Sequence, residues 1–180
     1  MGKTLIVGGT KGIGEEIAQL LVNKECVLFS REAYSVTSNN HVHYQLDVAD
    51  GNFPDIEDVS SIVYCPGTIN LKPFRSLKVE DFQNDFDVNF LGAIKVIQYY
   101  QRALSKSENA SIILFSTVAV NQGMNFHASI ASAKGAVEGL TKSLAAEFAG
   151  KIRVNCIAPS LTDTPLAKGI LRNEDAIKRS

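Results

Sequence analysis

Short, continuously apolar runs alternate along this chain with longer stretches in which apolar residues recur every three or four positions. Apolar runs of four to six residues are typical of buried parallel strands, and the three-to-four spacing is typical of amphipathic helices. The pattern therefore predicts strands at residues 4–7, 26–30, 42–46, 61–65, 110–115 and 152–157.

The helical spacing is found in three places: directly after Gly12, in residues 82–104 and in residues 132–148. Strands that alternate with helices predict an α/β fold, a doubly wound parallel sheet with helices on both faces in a three-layer sandwich. Little helical pattern lies between Arg31 and Cys65, so we expect loops or single turns in the second and third crossovers. No domain boundary is visible, and residues 1–180 are predicted to form a single domain.

Composition narrows the class of protein. A chain of 180 residues with 45% hydrophobic residues can bury a core of its own. Its longest nearly apolar stretch, residues 112–120, is far shorter than the roughly 20 residues that cross a membrane as a helix. With 18 basic and 19 acidic residues, the chain has no excess of positive charge for nucleic acid or for an anionic membrane. We expect neither as a partner.

The three cysteines, Cys26, Cys65 and Cys156, are widely separated and lie in apolar runs. They show neither the spacing of metal ligands nor a disulfide framework, so reduced and buried thiols are expected. Met1 leads directly into the first predicted strand, without the charged and apolar segments of a secretion signal. Together these features predict a cytoplasmic protein.

A glycine-rich loop separates the first strand from the first helix, with the spacing G-x-x-x-G-x-G. Gly8 permits a tight turn, Gly12 allows the backbone to approach a pyrophosphate, and Gly14 allows the helix to pack closely on the strand. The sequence thus predicts a dinucleotide site of Rossmann type, and it places Thr10, Lys11 and Ile13 in the same loop. The alternative is an ordinary turn between a strand and a helix.

The residues after the second strand bear on the choice of dinucleotide, because an acidic side chain there binds a ribose hydroxyl and arginine accommodates a 2′-phosphate. Here the strand ends in Ser30 and Arg31, and Lys11 adds a second positive charge. This favours NADP over NAD as the cofactor. Glu32 weakens the argument, and Lys11 and Arg31 could also be solvated loop charges.

Further segments follow in an order that resembles the short-chain dehydrogenase/reductase family, over residues 4–166. They are Asp47-Val48, which resembles the family's adenine-binding pair; residues 64–67, with Pro66 and Gly67; residues 88–92; residues 115–117; and residues 154–159, with Leu161 and Thr164 beyond Pro159. Residues 64–67 keep the glycine of the family's Asn-Asn-Ala-Gly segment but have neither amide, and Ser160 stands where glycine is usual.

The same resemblance implies the catalytic residues. Asn89 matches the catalytic asparagine, Thr117 the catalytic hydroxyl and Lys134 the lysine of the Tyr-x-x-x-Lys pair, with Ser116 as the hydroxyl if the register differs by one residue. The resemblance also implies that Lys134 binds the cofactor by anchoring the nicotinamide ribose. The tyrosine position holds Ile130. In the family this tyrosine supplies the proton as hydride transfer makes an alkoxide, and losing a general acid typically costs about two to four orders of magnitude in rate.

A substitute donor is conceivable in His127, which precedes Lys134 by seven residues and would lie on nearly the same helix face. Its unperturbed pKa near 6.5 suits proton delivery at neutral pH. The favoured interpretation is simpler: His127 is a capping or solvated loop residue. Ser129 is interpreted as a helix cap and Ser132 as a surface or packing residue.

Two functions remain open at this point. The favoured one is an NADP-dependent oxidoreductase that reduces a small carbonyl compound or oxidises an alcohol, weakly because the tyrosine is absent. The alternative is an inactive NADP-binding sensor or assembly protein, and a less favoured third is an engineered or incomplete form of an active enzyme. The resemblance also implies a homodimer or homotetramer that pairs through helices 82–104 and 132–148.

The end of the chain leaves a further question. Residues 160–180 follow the sixth strand, where the family carries its substrate specificity, and they are interpreted as a mobile lid or a frayed tail. Family members usually continue into another helix and a seventh strand, and no such pattern follows here. Either the sheet is reduced and has an exposed edge, or the final portion of the chain is missing.

Overall fold

The computed structural model describes residues 2–168, and within them six strands form one sheet. The strands are β1 (Lys3–Val7), β2 (Cys26–Ser30), β3 (His41–Gln45), β4 (Val59–Tyr64), β5 (Ala110–Phe115) and β6 (Ile152–Ile157). Every pairing is parallel, and the order across the sheet is β3-β2-β1-β4-β5-β6. The predicted parallel sheet is confirmed, and each predicted strand lies within two residues of an observed one.

The chain reverses its direction of winding between β1 and β4. It moves outward from β1 through β2 to β3 and then returns to the other side of β1. Such a point opens a crevice at the carboxyl ends of the strands, where doubly wound proteins bind their ligands. This crevice positions the site described below.

The helices are α1 (Gly12–Leu20), α2 (Val79–Phe86), α3 (Gly92–Leu104), α4 (Ala119–Gln122) and α5 (Ala128–Glu147), with a short 3₁₀ turn at Phe74–Ser76. No helix forms in residues 31–40 or 46–58, as predicted for the shortened crossovers. The predicted continuous α-helix 82–104 is wrong in one respect: a π turn, Asp87–Leu91, separates α2 from α3. Both long helices also begin three or four residues earlier than predicted.

A tyrosine on the sheet accounts for the π turn. The Tyr64 hydroxyl donates a hydrogen bond of 2.6 Å to the Val88 carbonyl oxygen, inside the turn. A Cβ atom at position 92 would overlap that hydroxyl, so only glycine fits there. Because β4 ends at Tyr64, the sheet determines where the helix is interrupted.

Two apolar cores cover the two faces of the sheet. The larger one joins α3 and α5 to the strands and includes Phe29, Tyr100 and Ile112. The smaller one joins α1 to the strands through Ala18 and Leu28. Helices on both faces confirm the predicted three layers.

The described part of the chain ends beyond β6 in turns, and no seventh strand occurs within residues 2–168. Residues 169–180, which make up most of the segment interpreted as a lid or tail, lie outside the described residues. None of the helices in the described range is long and apolar enough to span a membrane.

Candidate functional site

Two adjoining cavities lie at the carboxyl ends of the strands. The first, of about 230 Å³, lies beside β1, β2 and β3, and the second, of about 470 Å³, lies beside β5 and β6. Gly67, in the loop after β4, lines both of them. The two cavities therefore form one elongated cleft across the crevice.

The glycine loop forms one end of the first cavity. Gly8 and Gly12 adopt φ angles of +73° and +54°, which side chains rarely tolerate. A Cβ atom on Gly14 would overlap the Gly8 carbonyl oxygen, so α1 packs against the loop as closely as backbone allows. The conformation required for a pyrophosphate-binding turn at a helix N-terminus is thus present, and Thr10 lies buried within it.

The charged residues predicted to select the dinucleotide lie at the same cavity. Ser30 and Arg31 line it, and Arg31 is exposed. Lys11 is engaged by Glu32, with Nζ 2.7 Å from Oε2, and this lysine lowers the pKa of the Glu32 carboxyl. The positive charge of Lys11 is therefore partly neutralised by Glu32, the residue that weakens the sequence argument for NADP.

Asp47 and Val48 line the other side of the first cavity, with Pro66 and Gly67 beside them. The Asp47 carboxylate accepts a 2.9 Å hydrogen bond from the Ala49 backbone N–H, which holds the loop after β3 in place. Pro66 lies against the glycine loop, 3.3 Å from where a Gly8 Cβ would be. The predicted adenine-side residues are brought together with the glycine loop.

Lys134 lies in the wall of the second cavity, on α5, and is only 8% exposed. Its ammonium donates a 2.8 Å hydrogen bond to the Phe115 carbonyl oxygen, at the end of β5. Burial lowers the pKa of Lys134 to about 8, and electrostatic interactions with Cys156 and Cys65, in their ionised forms, and with Asp85 oppose this shift. The lysine is thus poised to lose its proton far more readily than a surface lysine.

Asn89 is held by the π turn and is 1% exposed. Its amide nitrogen donates to the Asp85 carbonyl oxygen at 2.7 Å and to the Thr68 hydroxyl at 2.9 Å. Thr68 in turn donates to the Asp85 carboxylate at 2.5 Å. Asn89 Oδ1 and Asp85 Oδ2 are both buried without a hydrogen-bond partner among residues 2–168, so the cluster retains acceptors for a further donor.

Thr117 and Ser116 both line the second cavity, but their hydroxyls differ. Ser116 donates its proton to the Glu138 carboxylate at 2.5 Å. Thr117 accepts a 3.3 Å hydrogen bond from the Ala119 N–H. That bond uses a lone pair, which leaves the Thr117 hydroxyl proton for a ligand. Thr117, unlike Ser116, therefore has a hydroxyl proton available inside the cavity, and its role towards a substrate stays a prediction.

Ile130 is 6% exposed and adds an apolar side chain to the same wall, one helical turn before Lys134. His127 occupies the N-cap position of α5 and also lines the cavity, without a side-chain capping bond. Its Nδ1 lies 2.7 Å from the Asn125 carbonyl oxygen. The interpretation of Ser129 as the cap is wrong: Ser129 lies within the first turn, and its buried hydroxyl has no partner in the described chain.

The segment after β6 closes the cavity from the other side. Pro159, Leu161 and Thr164 line it as predicted, together with Ile13, and Thr164 packs 3.3 Å from where a Gly12 Cβ would be. Sequence reasoning missed the apolar lining residues Ile69, Leu71, Met124 and Leu166. It also missed Thr68 and Asp85, although the four-residue interval between Asp85 and Asn89 indicates a shared helix face.

Comparison with known proteins shows which family this chain is similar to. The sequence profile of the family described as short chain dehydrogenase matches residues 3–175. The chain is 32% identical over 163 residues to 3-hydroxyacyl-CoA dehydrogenase type-2 of Homo sapiens, covering 85% of this chain and 61% of that protein. It is 25% identical to 3-oxoacyl-[acyl-carrier-protein] reductase of Homo sapiens, covering 97% of this chain and 81% of that one. The chain thus spans under two thirds of the first of these relatives.

Solved structures are similar over nearly the whole chain. A variant of ElxO with NADPH bound superimposes with a TM-score of 0.85 at 27% identity, covering 99% of this chain and 83% of that one. Ligand-free aldohexose dehydrogenase of Thermoplasma acidophilum has the same fold, with a TM-score of 0.85 at 21% identity, covering 99% of this chain and 75% of that chain. From its sequence, its sheet and these similarities, the chain belongs to the short chain dehydrogenase family.

Proposed function

We propose that this protein is an NADP-dependent oxidoreductase that reduces a small carbonyl compound, or oxidises the corresponding alcohol, with Ile130 at the position of the family's tyrosine. The observation that carries the proposal is that Lys134 and Thr117 line a cleft that continues to the glycine loop, with the buried Asn89 bonded to Thr68 in its wall. The ElxO structures with NADP and NADPH bound support the choice of cofactor.

The described residues fit a dinucleotide. Positive φ angles at Gly8 and Gly12, and the overlap that a Gly14 side chain would cause, leave backbone rather than side chains facing the cavity. A pyrophosphate would lie there, with its adenosine beside Asp47 and Val48 and its 2′-phosphate beside Arg31. The nicotinamide end would lie between Lys134 and the segment of Pro159, Leu161 and Thr164.

Bound NADPH would supply a hydride to the carbonyl carbon of the substrate. Thr117 would donate its hydroxyl proton in a hydrogen bond to the carbonyl oxygen and so orient the substrate. Lys134 would carry positive charge next to the oxygen as negative charge develops there. Asn89 stabilises this wall through its bonds to Asp85 and Thr68.

The cavity also bears on the substrate. Isoleucine, leucine and methionine side chains, Ile69, Leu71, Met124, Ile130 and Leu166, line the space around Thr117. A volume of about 470 Å³ shared with the nicotinamide leaves room for a small, mainly apolar carbonyl compound. Ile130 gives no proton to the reaction, so slow turnover is expected.

The test follows NADPH absorbance while small ketones, aldehydes and quinones are offered to the protein and to Ile130→Tyr. We expect slow oxidation by the natural chain and an increase of about a hundredfold or more in Ile130→Tyr. Ile130→Phe is the matched control, because it adds the ring without the hydroxyl and should not gain activity. Binding of NADPH without turnover by any of these proteins would refute the proposal.

A second candidate is an NADP-binding sensor or assembly protein without dehydrogenase activity. One observation favours it, the buried isoleucine at position 130. A protein of this kind has no need of a free hydroxyl at Thr117. Thr117→Val therefore separates the two functions: it should abolish turnover in a reductase and leave NADPH affinity unchanged in either.

A further inference from the structure

Resting on the proposed reductase function, we propose that Lys134 itself donates the proton to the substrate oxygen, with Asp85 as the residue that positions and retains its charge. This role differs from assisting a tyrosine, for which Ile130 leaves no hydroxyl. Three features of Lys134 support this role: the N–H groups that Phe115 does not use, its burial, and the buried acceptors near it.

The ammonium has protons to give. Lys134 carries three N–H donors, and the Phe115 carbonyl oxygen accepts from it at 2.8 Å. The lysine lines the second cavity together with Thr117 and Ile130. The carbonyl of a substrate held by Thr117 would therefore share the cavity with this ammonium.

Burial makes this ammonium an effective acid. With 8% exposure, its charged form loses most of its hydration, and its pKa falls to about 8. Charged or titratable groups face it from the surrounding elements: Asp85 on α2, Cys65 after β4 and Cys156 on β6. On its own helix, Glu138 is engaged by Ser116, and His127 lies in the same cavity wall.

Asp85 gives this site its negative charge. The carboxylate is 1% exposed, and Thr68 is its hydrogen-bond donor at 2.5 Å. A Cβ on Gly67 would lie 3.4 Å from Asn89 Oδ1 and 3.7 Å from Lys134 Nζ, so the asparagine acceptor and the ammonium flank the same glycine. Asp85 thus acts on Lys134 through its charge, without a bond to the ammonium, and stabilises the protonated form without touching the substrate.

The proton balance closes within the site. With NADPH as the reductant, a hydride would form the new C–H bond at the carbonyl carbon and leave NADP, while the π electron pair of the carbonyl moves to oxygen. An N–H bond of Lys134 breaks and an O–H bond forms. The nitrogen keeps the electron pair and becomes a neutral amine, which a buried site tolerates well. A proton from solvent then restores the ammonium, and oxidation of the alcohol follows the same path in reverse.

The experiment measures turnover against pH for the natural chain, Lys134→Arg, Asp85→Asn and His127→Ala. Arginine keeps the charge but cannot release its proton. Lys134→Arg should therefore bind NADPH with similar affinity, measured by fluorescence, and lose about a hundredfold or more in turnover. Reductive turnover of the natural chain should fall above about pH 8, where the ammonium deprotonates.

Asp85→Asn removes a negative charge beside the ammonium, so the lysine should lose its proton more easily and the fall in turnover should move to lower pH. The chemical shift of ¹³C-labelled lysine, with Lys134 assigned from its absence in Lys134→Arg, should show the same movement in the protein without substrate. His127→Ala should leave the pH profile in place.

The outcomes separate this proposal from the function on which it rests. A Lys134→Arg protein as active as the natural chain, a loss of turnover confined to His127→Ala, or a Lys134 resonance titrating near pH 10.5 would each overturn proton donation by Lys134 while leaving the reductase standing. A natural chain that never oxidises NADPH overturns the reductase and the donor together.

Discussion

At the scale of single residues, burial and charge at Lys134 make the stability of the fold depend on pH. Lys134 lies in the wall of the second cavity, and its ammonium donates a hydrogen bond to the Phe115 carbonyl oxygen. Its pKa is lowered from 10.5 to about 8. A group whose pKa is lower in the folded state favours folding above its unfolded pKa, and this contribution is lost as the pH falls.

The free energy of unfolding should therefore increase by about 3 kcal/mol between pH 8 and pH 10.5, since each pKa unit corresponds to about 1.4 kcal/mol. Urea unfolding at a series of pH values measures it, for the natural chain and for Lys134→Met. Tyrosines and cysteines also titrate in this range, so the difference between the two proteins is the quantity to compare. A pH-independent difference would contradict the burial argument.

If the first cavity binds NADP as proposed, Arg31 and Glu32 should affect that binding in opposite directions. Arg31 is exposed at the first cavity, and Glu32 engages Lys11 at 2.7 Å. Arg31→Asp should weaken NADP binding about tenfold or more and leave NAD binding unchanged or improved, because a charge-assisted bond to the 2′-phosphate is lost. Glu32→Gln is the matched control: it releases Lys11 and should strengthen NADP binding. Calorimetric titration with both dinucleotides would reveal equal affinities if this account is wrong.

At the scale of elements, the interrupted helix depends on a contact with the sheet. The π turn Asp87–Leu91 holds Asn89, which is buried and donates a hydrogen bond to Thr68 in the cleft wall, and the Tyr64 hydroxyl donates to a carbonyl oxygen inside that turn. Gly92 makes room for the hydroxyl. The end of β4 and Gly92 therefore together stabilise the π turn that holds Asn89.

Gly92→Ala should destabilise the protein by about 1–3 kcal/mol, because the added methyl overlaps the Tyr64 hydroxyl in a packed interior. Gly135→Ala is the control, since a Cβ there, within α5, meets only Val120 Cγ1 at an ordinary contact distance of 3.8 Å; it should stabilise by about 0.5–1 kcal/mol. In the Gly92→Ala background, Tyr64→Phe should recover part of the loss. Chemical denaturation measures all three, and equal effects of the two alanines would contradict the packing argument.

The sequence predicted those elements that local patterns determine. Apolar runs located the strands, and the glycine spacing located the loop, because side-chain periodicity and positive φ angles are properties of neighbouring residues. The π turn escaped prediction, since its cause is a tyrosine 24 residues away from Val88 in the chain. Asp85 was missed for a similar reason: its partner Thr68 comes from the loop after β4, and only the fold brings them together.

At the scale of the whole molecule, the outer surface of α5 bears on assembly. Four of its exposed positions carry small side chains, Ser132, Gly139, Ser143 and Ala146, which let another helix approach closely; the other exposed positions are Lys142 and Glu147. Leu91 and Tyr99 are exposed on the neighbouring helical segment. These features support the predicted pairing of helices 82–104 and 132–148 with their counterparts in a second copy.

Sedimentation at micromolar concentration should give the mass of a dimer or tetramer for the natural chain. Ser143→Arg places a long charged side chain among the exposed small residues of α5 and should shift the protein to a monomer. Gln19→Arg makes the same addition on α1 and should leave the assembly unchanged, because α1 lies on the opposite face of the sheet. A natural chain that sediments as a monomer would exclude the pairing.

Because the strands are parallel, the cleft and the turns that lead into the strands lie at opposite ends of the sheet. The cleft lies where the strands finish, whereas residues 21–25, 105–109 and 148–151 connect helices to the beginnings of strands. Ala149 and Lys151, in the last of these connections, are exposed. These turns are therefore suitable attachment points: a fluorophore or an immobilising tag placed there would report on the protein without entering the cleft.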